Sequence, residues 1–222
     1  MLFSEAARPL VRLSVFTLGA WVLAIAAPVP GYAADDVSEV RTVGAFDRVE
    51  LSGAFETAIG AGRESRVTIR ASRAALDRVT TNIRDRTLVV GMREGSGLDG
   101  SLPKVTIDLP VLRGCTNTGF GSIKIGGLTG ADVEIVNSGA ASVTVTGRAG
   151  HETIELNGAG KIDATGVDAK DVEANNNGVG VVDVRASGSL EMTVNGLGVI
   201  RYAGSPSHVE SHVNGVGRIQ RI

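Results

Sequence analysis

From residue 117 onward, apolar and polar positions alternate in short runs, and each run is interrupted by glycine. The first glycine of each motif is Gly119, Gly139, Gly158, Gly178, Gly196 or Gly215, so successive motifs lie 20, 19, 20, 18 and 19 residues apart. Four and six residues after the glycine come Ile123/Ile125, Val143/Val145, Ile162/Ala164, Val182/Val184, Ile200/Tyr202 and Ile219/Arg221. Polar residues lie between them: Lys124, Thr144, Asp163, Asp183, Arg201 and Gln220. This period of two predicts a half-buried strand. Before the glycine, a second alternating run carries Ile135/Asn137, Ile154/Leu156, Ala174/Asn176, Met192/Val194 and Ser211/Val213. Turn clusters such as GGLTG (126–130), GRAG (147–150) and AGSP (203–206) separate the two runs.

Each repeat therefore reads strand, glycine bend, strand, turn. Such a unit buries its apolar side only by stacking on its neighbours. No helical pattern intervenes, so equivalent strands pair in parallel. The predicted fold is all-β, a right-handed parallel β-helix with coils of ~19 residues.

Residues 34–114 lack the period but are rich in strand patterns, among them RVEL (48–51), FETAI (55–59), RVTIR (66–70), TLVV (87–90) and KVTIDLP (104–110). They are expected to form an irregular β-rich N-terminal part that caps the repeats of 115–222. Glu64-Ser65 and Arg84-Asp85 suit bends, residues 73–79 a turn or two of helix, and REGSGLDGSLP (93–103) a flexible loop.

Composition agrees with a turn-rich β-protein: 30 glycines and only 4% aromatics in 222 residues. The net charge of −2 leaves no basic footprint for nucleic acid. The single cysteine, Cys115, excludes an internal disulfide. Residues 1–33 read as a signal peptide. Arg8 and Arg12 precede an uncharged apolar run, Leu13–Ala27, and PVPGYA offers a cleavage site after Ala33. The remaining chain is expected to be exported to the periplasm, cell surface or medium, with no transmembrane anchor after cleavage.

Asn157, Asn177, Asn195 and Asn214 immediately precede the first glycine in four repeats. A phosphate loop is excluded, because the third glycine and the following helix are both missing. A calcium roll is excluded, because aliphatic residues occupy the ligand position and the period is twofold too long. A solenoid corner fits. Glycine gives backbone freedom and room where coils stack, and the asparagines could form an amide ladder.

Three stretches carry a family resemblance: FDRVELSGAFETAI (46–59), KVTIDLPVLRGCTNTGFGSI (104–123) and the repeated NGxGxI. In this order they resemble the head GIN domain, described as an auto-transporter adhesin, over about residues 43–222. The resemblance implies an exported β-helical domain of unknown biochemical function, with adhesion as the family's label only, and assigns no functional residues. No barrel-forming pattern occurs before Ile222, so the chain is not expected to translocate itself.

Four groups are candidates for chemistry. His208, Glu210 and His212 share one strand face, as zinc ligands can, although a solvated face is the simpler reading. Asp163 and Asp183 occupy one position in adjacent coils and would be the acids of a polysaccharide-acting enzyme. Cys115 suits a buried small apolar residue better than a nucleophile. Phe120, Val179, Leu197 and Val216 stand between the paired glycines. They form an outward apolar face if alternation runs straight through the bend, and core if the bend reverses it. Core is favoured, because a row of exposed aliphatics invites aggregation. The function expected is a non-enzymatic binding, adhesin-like or structural module at the cell envelope. It needs no cofactor or metal, and its partner is a glycan, an envelope protein or a second copy.

Overall fold

The computed structural model describes residues 36–93 and 101–222, all within the unit Ala34–Ile222. The signal-peptide reading of residues 1–33 and most of the loop predicted over 93–103 lie outside the described residues.

The strands are, in order, β1 (Val37–Thr42), β2 (Arg48–Ser52), β3 (Ala54–Ala61), β4 (Arg66–Ala71), β5 (Val79–Arg84), β6 (Thr87–Met92), β7 (Lys104–Leu109), β8 (Gly114–Asn117), β9 (Phe120–Thr129), β10 (Val133–Asn137), β11 (Ala140–Leu156), β12 (Ala159–Asn176), β13 (Val179–Ala186), β14 (Ser189–Val194), β15 (Leu197–Gly204), β16 (His208–Val213) and β17 (Val216–Arg221). One short helix, α1 (Arg73–Leu76), follows β4, and the Ser72 hydroxyl caps it by accepting from the Ala75 amide.

The repeat region is a parallel β-helix. Before each glycine bend, β8, β10, the end of β11, the end of β12, β14 and β16 pair in parallel. After the bend, β9, the starts of β11 and β12, then β13, β15 and β17 do the same. The stack also reaches into the N-terminal half: β2 pairs in parallel with β8, and β3 with β9. The antiparallel strands lie beyond that coil. β4 joins β7 and β1, and β5 forms a hairpin with β6. Its two-residue turn, Asp85-Arg86, has φ of 45° and 60°, the backbone that the twist of a tight hairpin favours.

The core is a set of columns of aliphatic side chains along the axis. Ile123, Val143, Ile162, Val182 and Ile200 form one, and Ile135, Ile154, Ala174 and Met192 another. Both are buried from end to end. Cys115 lies in the core, where burial pushes its thiol up to about 12, so it acts as packing rather than as a nucleophile.

The bends show why glycine recurs. A methyl group on Gly119, Gly139, Gly158, Gly178, Gly196 or Gly215 would overlap the carbonyl oxygen of the glycine one coil earlier, starting from Gly53. Parallel pairing runs unbroken through the corner. Gly178 N–H donates to Leu156 O at 2.8 Å, and Val179 N–H donates to Gly158 O at 2.9 Å. The carbonyl oxygen of the coil below occupies the place of a Cβ, so only glycine fits. Positive φ falls on second glycines, Gly121, Gly160 and Gly180, rather than on these first ones. The first glycine thus provides room, and the second, where present, provides room and, at Gly121, Gly160 and Gly180, the conformation as well.

Candidate functional site

Alternation runs straight through each bend. Asn177 and Val179 point outward, whereas Asn176 and Gly178 point inward. The residues between the glycines therefore stand at the surface. Phe120 is 58% exposed, Val179 55%, Leu197 56% and Val216 72%. This corrects the expectation that they pack in the core. The bend changes the direction of the chain without changing its in–out parity.

Strand register places Ala54, Phe120, Ala140, Ala159, Val179, Leu197 and Val216 in one column. From Phe120 to Val216 the column is about 24 Å long at the usual strand spacing. It widens toward the C-terminal end, where the next outward column carries Val181 and Val199.

Beside this ridge runs the asparagine ladder. Asn177 Nδ2 donates to Asn157 Oδ1 at 2.8 Å, Asn195 to Asn177 at 2.8 Å, and Asn214 to Asn195 at 2.9 Å. These amides are exposed and satisfy one another. Backbone groups at the corner are served by the coil below.

A second set of asparagines is buried, and the alternating run before the glycine already contains two of them. Asn117, Asn137 and Asn176 lie inside the corner, two residues before a glycine. Asn117 Nδ2 donates to Asn137 Oδ1 at 2.8 Å, and Gly119 N–H donates to Asn117 Oδ1 at 3.1 Å. Asn176 Nδ2 reaches Gly180 O at 3.1 Å. The available signal was the recurrence of Asn at that offset in three repeats.

The two candidate acids are occupied by cations. Asp183 is buried and holds Arg201 in a bidentate pair, both contacts 2.6 Å, while Lys161 Nζ lies 3.1 Å away. Lys161 also bonds Asp163 at 2.8 Å, and Asp163 accepts from the Thr165 hydroxyl at 2.7 Å. Burial alone would raise the Asp163 carboxyl, but the bonds from Lys161 and Thr165 outweigh it and hold it below its ordinary range. A general acid needs the opposite shift. This cluster clamps three adjacent coils together.

Surface depressions of about 210 and 310 Å³ lie elsewhere, against Glu56, Lys104 and Lys124, and against Arg63, Arg66 and Asp108. On β16, Glu210 accepts from His212 at 2.9 Å, and all six residues of the strand are exposed. Among the described residues, no group of three or more His, Cys, Asp or Glu is placed to hold a metal ion.

A family model described as "Putative auto-transporter adhesin, head GIN domain" matches residues 45–206. The chain belongs to this family. Its fold recurs in a solved structure described as a putative adhesin from Bacteroides fragilis. That structure is 23% identical, with a TM-score of 0.70 over 84% of this chain and 97% of that one. A second, described as a putative adhesin from Parabacteroides merdae, is 18% identical, with a TM-score of 0.47 over 84% and 96%. No curated protein matches the sequence. In this chain the corner thus presents two outward features, an apolar ridge and an amide ladder. Among the described residues, no helix is long and apolar enough to cross a membrane.

Proposed function

We propose that this GIN-domain chain is an exported, non-enzymatic adhesin-like module that binds an envelope protein through the ridge Phe120–Val179–Leu197–Val216. The observation that carries this reading is the exposed apolar column itself. A soluble protein rarely leaves aliphatic side chains in a continuous row unless something covers them. Val181 and Val199 broaden the row into a patch suited to an apolar protein surface. The ridge itself offers a glycan no side-chain hydrogen-bonding group, and each neighbouring ladder step spends one amide donor and one acceptor. The adhesin description of the family supports the same role. The ion-paired state of Asp163 and Asp183 weighs against the polysaccharide-acting alternative.

Export through residues 1–33 is part of this proposal. The test is retention of the purified protein on isolated envelope fractions and on a glycan array. Val179→Lys with Leu197→Lys should lower envelope binding at least tenfold with the melting temperature unchanged, because exposed substitutions shift stability by only about 0.5 kcal/mol. Unchanged retention by the double variant would reject the ridge as the site. Retention on a glycan that the double variant abolished would reassign the partner.

A further inference from the structure

The two ends of the solenoid are finished differently. At the N-terminal end, Arg41 of β1 spans to the opposite side, donating to Val79 O at 2.8 Å and to Leu76 O at 3.4 Å. Phe46, Leu76 and Val79 are buried there. At the C-terminal end nothing among the described residues covers β16 or β17. β16 pairs only with β14, and β17 only with β15. Among the described residues the inward columns end at these two strands. Leu190 and Val194 are fully buried, but their continuations Val209 and Val213 are 43% and 47% exposed. Among the described residues, no strand pairs with the outer edge of either one, which leaves a row of backbone donors and acceptors.

The sequence of that edge is self-complementary. β16 reads Val209-Glu210-Ser211-His212-Val213. An antiparallel copy centred on Ser211 sets Val209 against Val213, Glu210 against His212, and Ser211 against itself. The valines and Ser211 face inward in both copies, and Glu210 and His212 face outward. Centring on Glu210 or on His212 would oppose like groups. Centring between residues would set inward positions against outward ones. β17 accepts the same axis. Ile219 lies four residues after Gly215, as Ser211 lies four before it. An axis through Ile219 sets Arg218 against Gln220 and Val216 against Ile222, with no like charges opposed. A head-to-tail contact is disfavoured, because β1 and β5 run antiparallel to their neighbours and are bridged by Arg41, so they do not continue the parallel coil that β16 and β17 would extend.

We propose that two copies associate end to end through β16 and β17, about a twofold axis at Ser211 and Ile219, so that the two solenoids share one continuous core. The contact is isologous and closes at two copies. Glu210, now bonded to His212 of its own strand, exchanges that partner for His212 of the second copy.

The test is the solution mass of the purified chain, together with cysteine cross-linking. Wild type should sediment as a dimer. Ser211→Cys should form a disulfide-linked dimer under mild oxidation, because the residue meets itself at the axis. Cys115 is buried and should not compete. Glu210→His alone, or His212→Glu alone, should weaken dimerisation more than tenfold by opposing like groups, and the two together should restore it. A wild type that stays monomeric at high concentration overturns the proposal. So does a dimer in which Ser211→Cys fails to cross-link, or one indifferent to both single substitutions.

Discussion

Gly178→Ala should leave the protein unable to form its stack, with loss of cooperative unfolding or a cost of at least about 4 kcal/mol. The added methyl group would overlap the carbonyl oxygen of Gly158, and the Asn157 carbonyl crowds the same space. Both obstacles are backbone, so no side-chain rotation relieves them. The coils would have to separate, and the corner bonds Gly178 N–H to Leu156 O and Val179 N–H to Gly158 O would lengthen. Because the solenoid is a chain of nearest-neighbour contacts, a break at this internal coil uncouples everything on either side of it. Two controls give the claim its sign. Gly44→Ala, with no atom within 4 Å of the new methyl group, should be silent. Gly215→Ala meets a comparable clash, but in the last coil, and should fray that coil while the rest stays folded. Chemical denaturation of the three variants checks the order. Equal losses at Gly178 and Gly44 would show that close stacking at the corner is not what glycine provides.

The same physics decides how much was legible in the sequence. The glycine column must repeat wherever backbones touch, so the period, the strands and the parallel stacking could be read directly. The first coil could not. At Gly53 the following inward position is Phe55 rather than a second glycine, and no asparagine precedes it, so the corner carries no NGxG signature. The ring of Phe55 fills the space beside Gly53. The ridge was visible as a set of residues but not as a surface. Whether a bend preserves parity depends on its backbone path, and glycines leave no side chain to mark inside from outside. Chemistry on Asp163 and Asp183 looked possible because sequence shows the acids and hides their partners. Lys161 and Arg201 reach them only through the stacking of coils. Glu152 was hidden by residue type alone. The alternation of Ile154 and Leu156, continued two residues backward, points inward at Glu152, but a carboxylate is read as solvent-facing by habit.

Glu152 gives the second large effect. It is fully buried between Val133 and Val172 in an inward column, and among the described residues neither carboxylate oxygen has a hydrogen-bond partner. Burial pushes its carboxyl from 4.5 up to about 8, so the folded protein carries it protonated at neutral pH. The folded state then binds a proton that the unfolded state has released at any pH between those two values. The contribution of Glu152 to stability is therefore greatest below about pH 4.5, falls as pH rises toward 8, and levels off above it. The full interval corresponds to as much as about 5 kcal/mol, and relaxation around a buried charge reduces what is observed. Glu152→Leu matches the side chain's volume and the apolar character of Val133, Val172 and Leu190 in its column. It should raise stability by roughly 2–4 kcal/mol at pH 8 and by much less at pH 4.5. Glu152→Gln removes the charge but keeps an unsatisfied polar group. It should flatten the pH dependence while gaining less at every pH. Urea melts of the three proteins from pH 4 to 9 measure all of this. A gap between wild type and Glu152→Leu that stays constant across the range would mean that the carboxylate finds a partner or water in the folded protein.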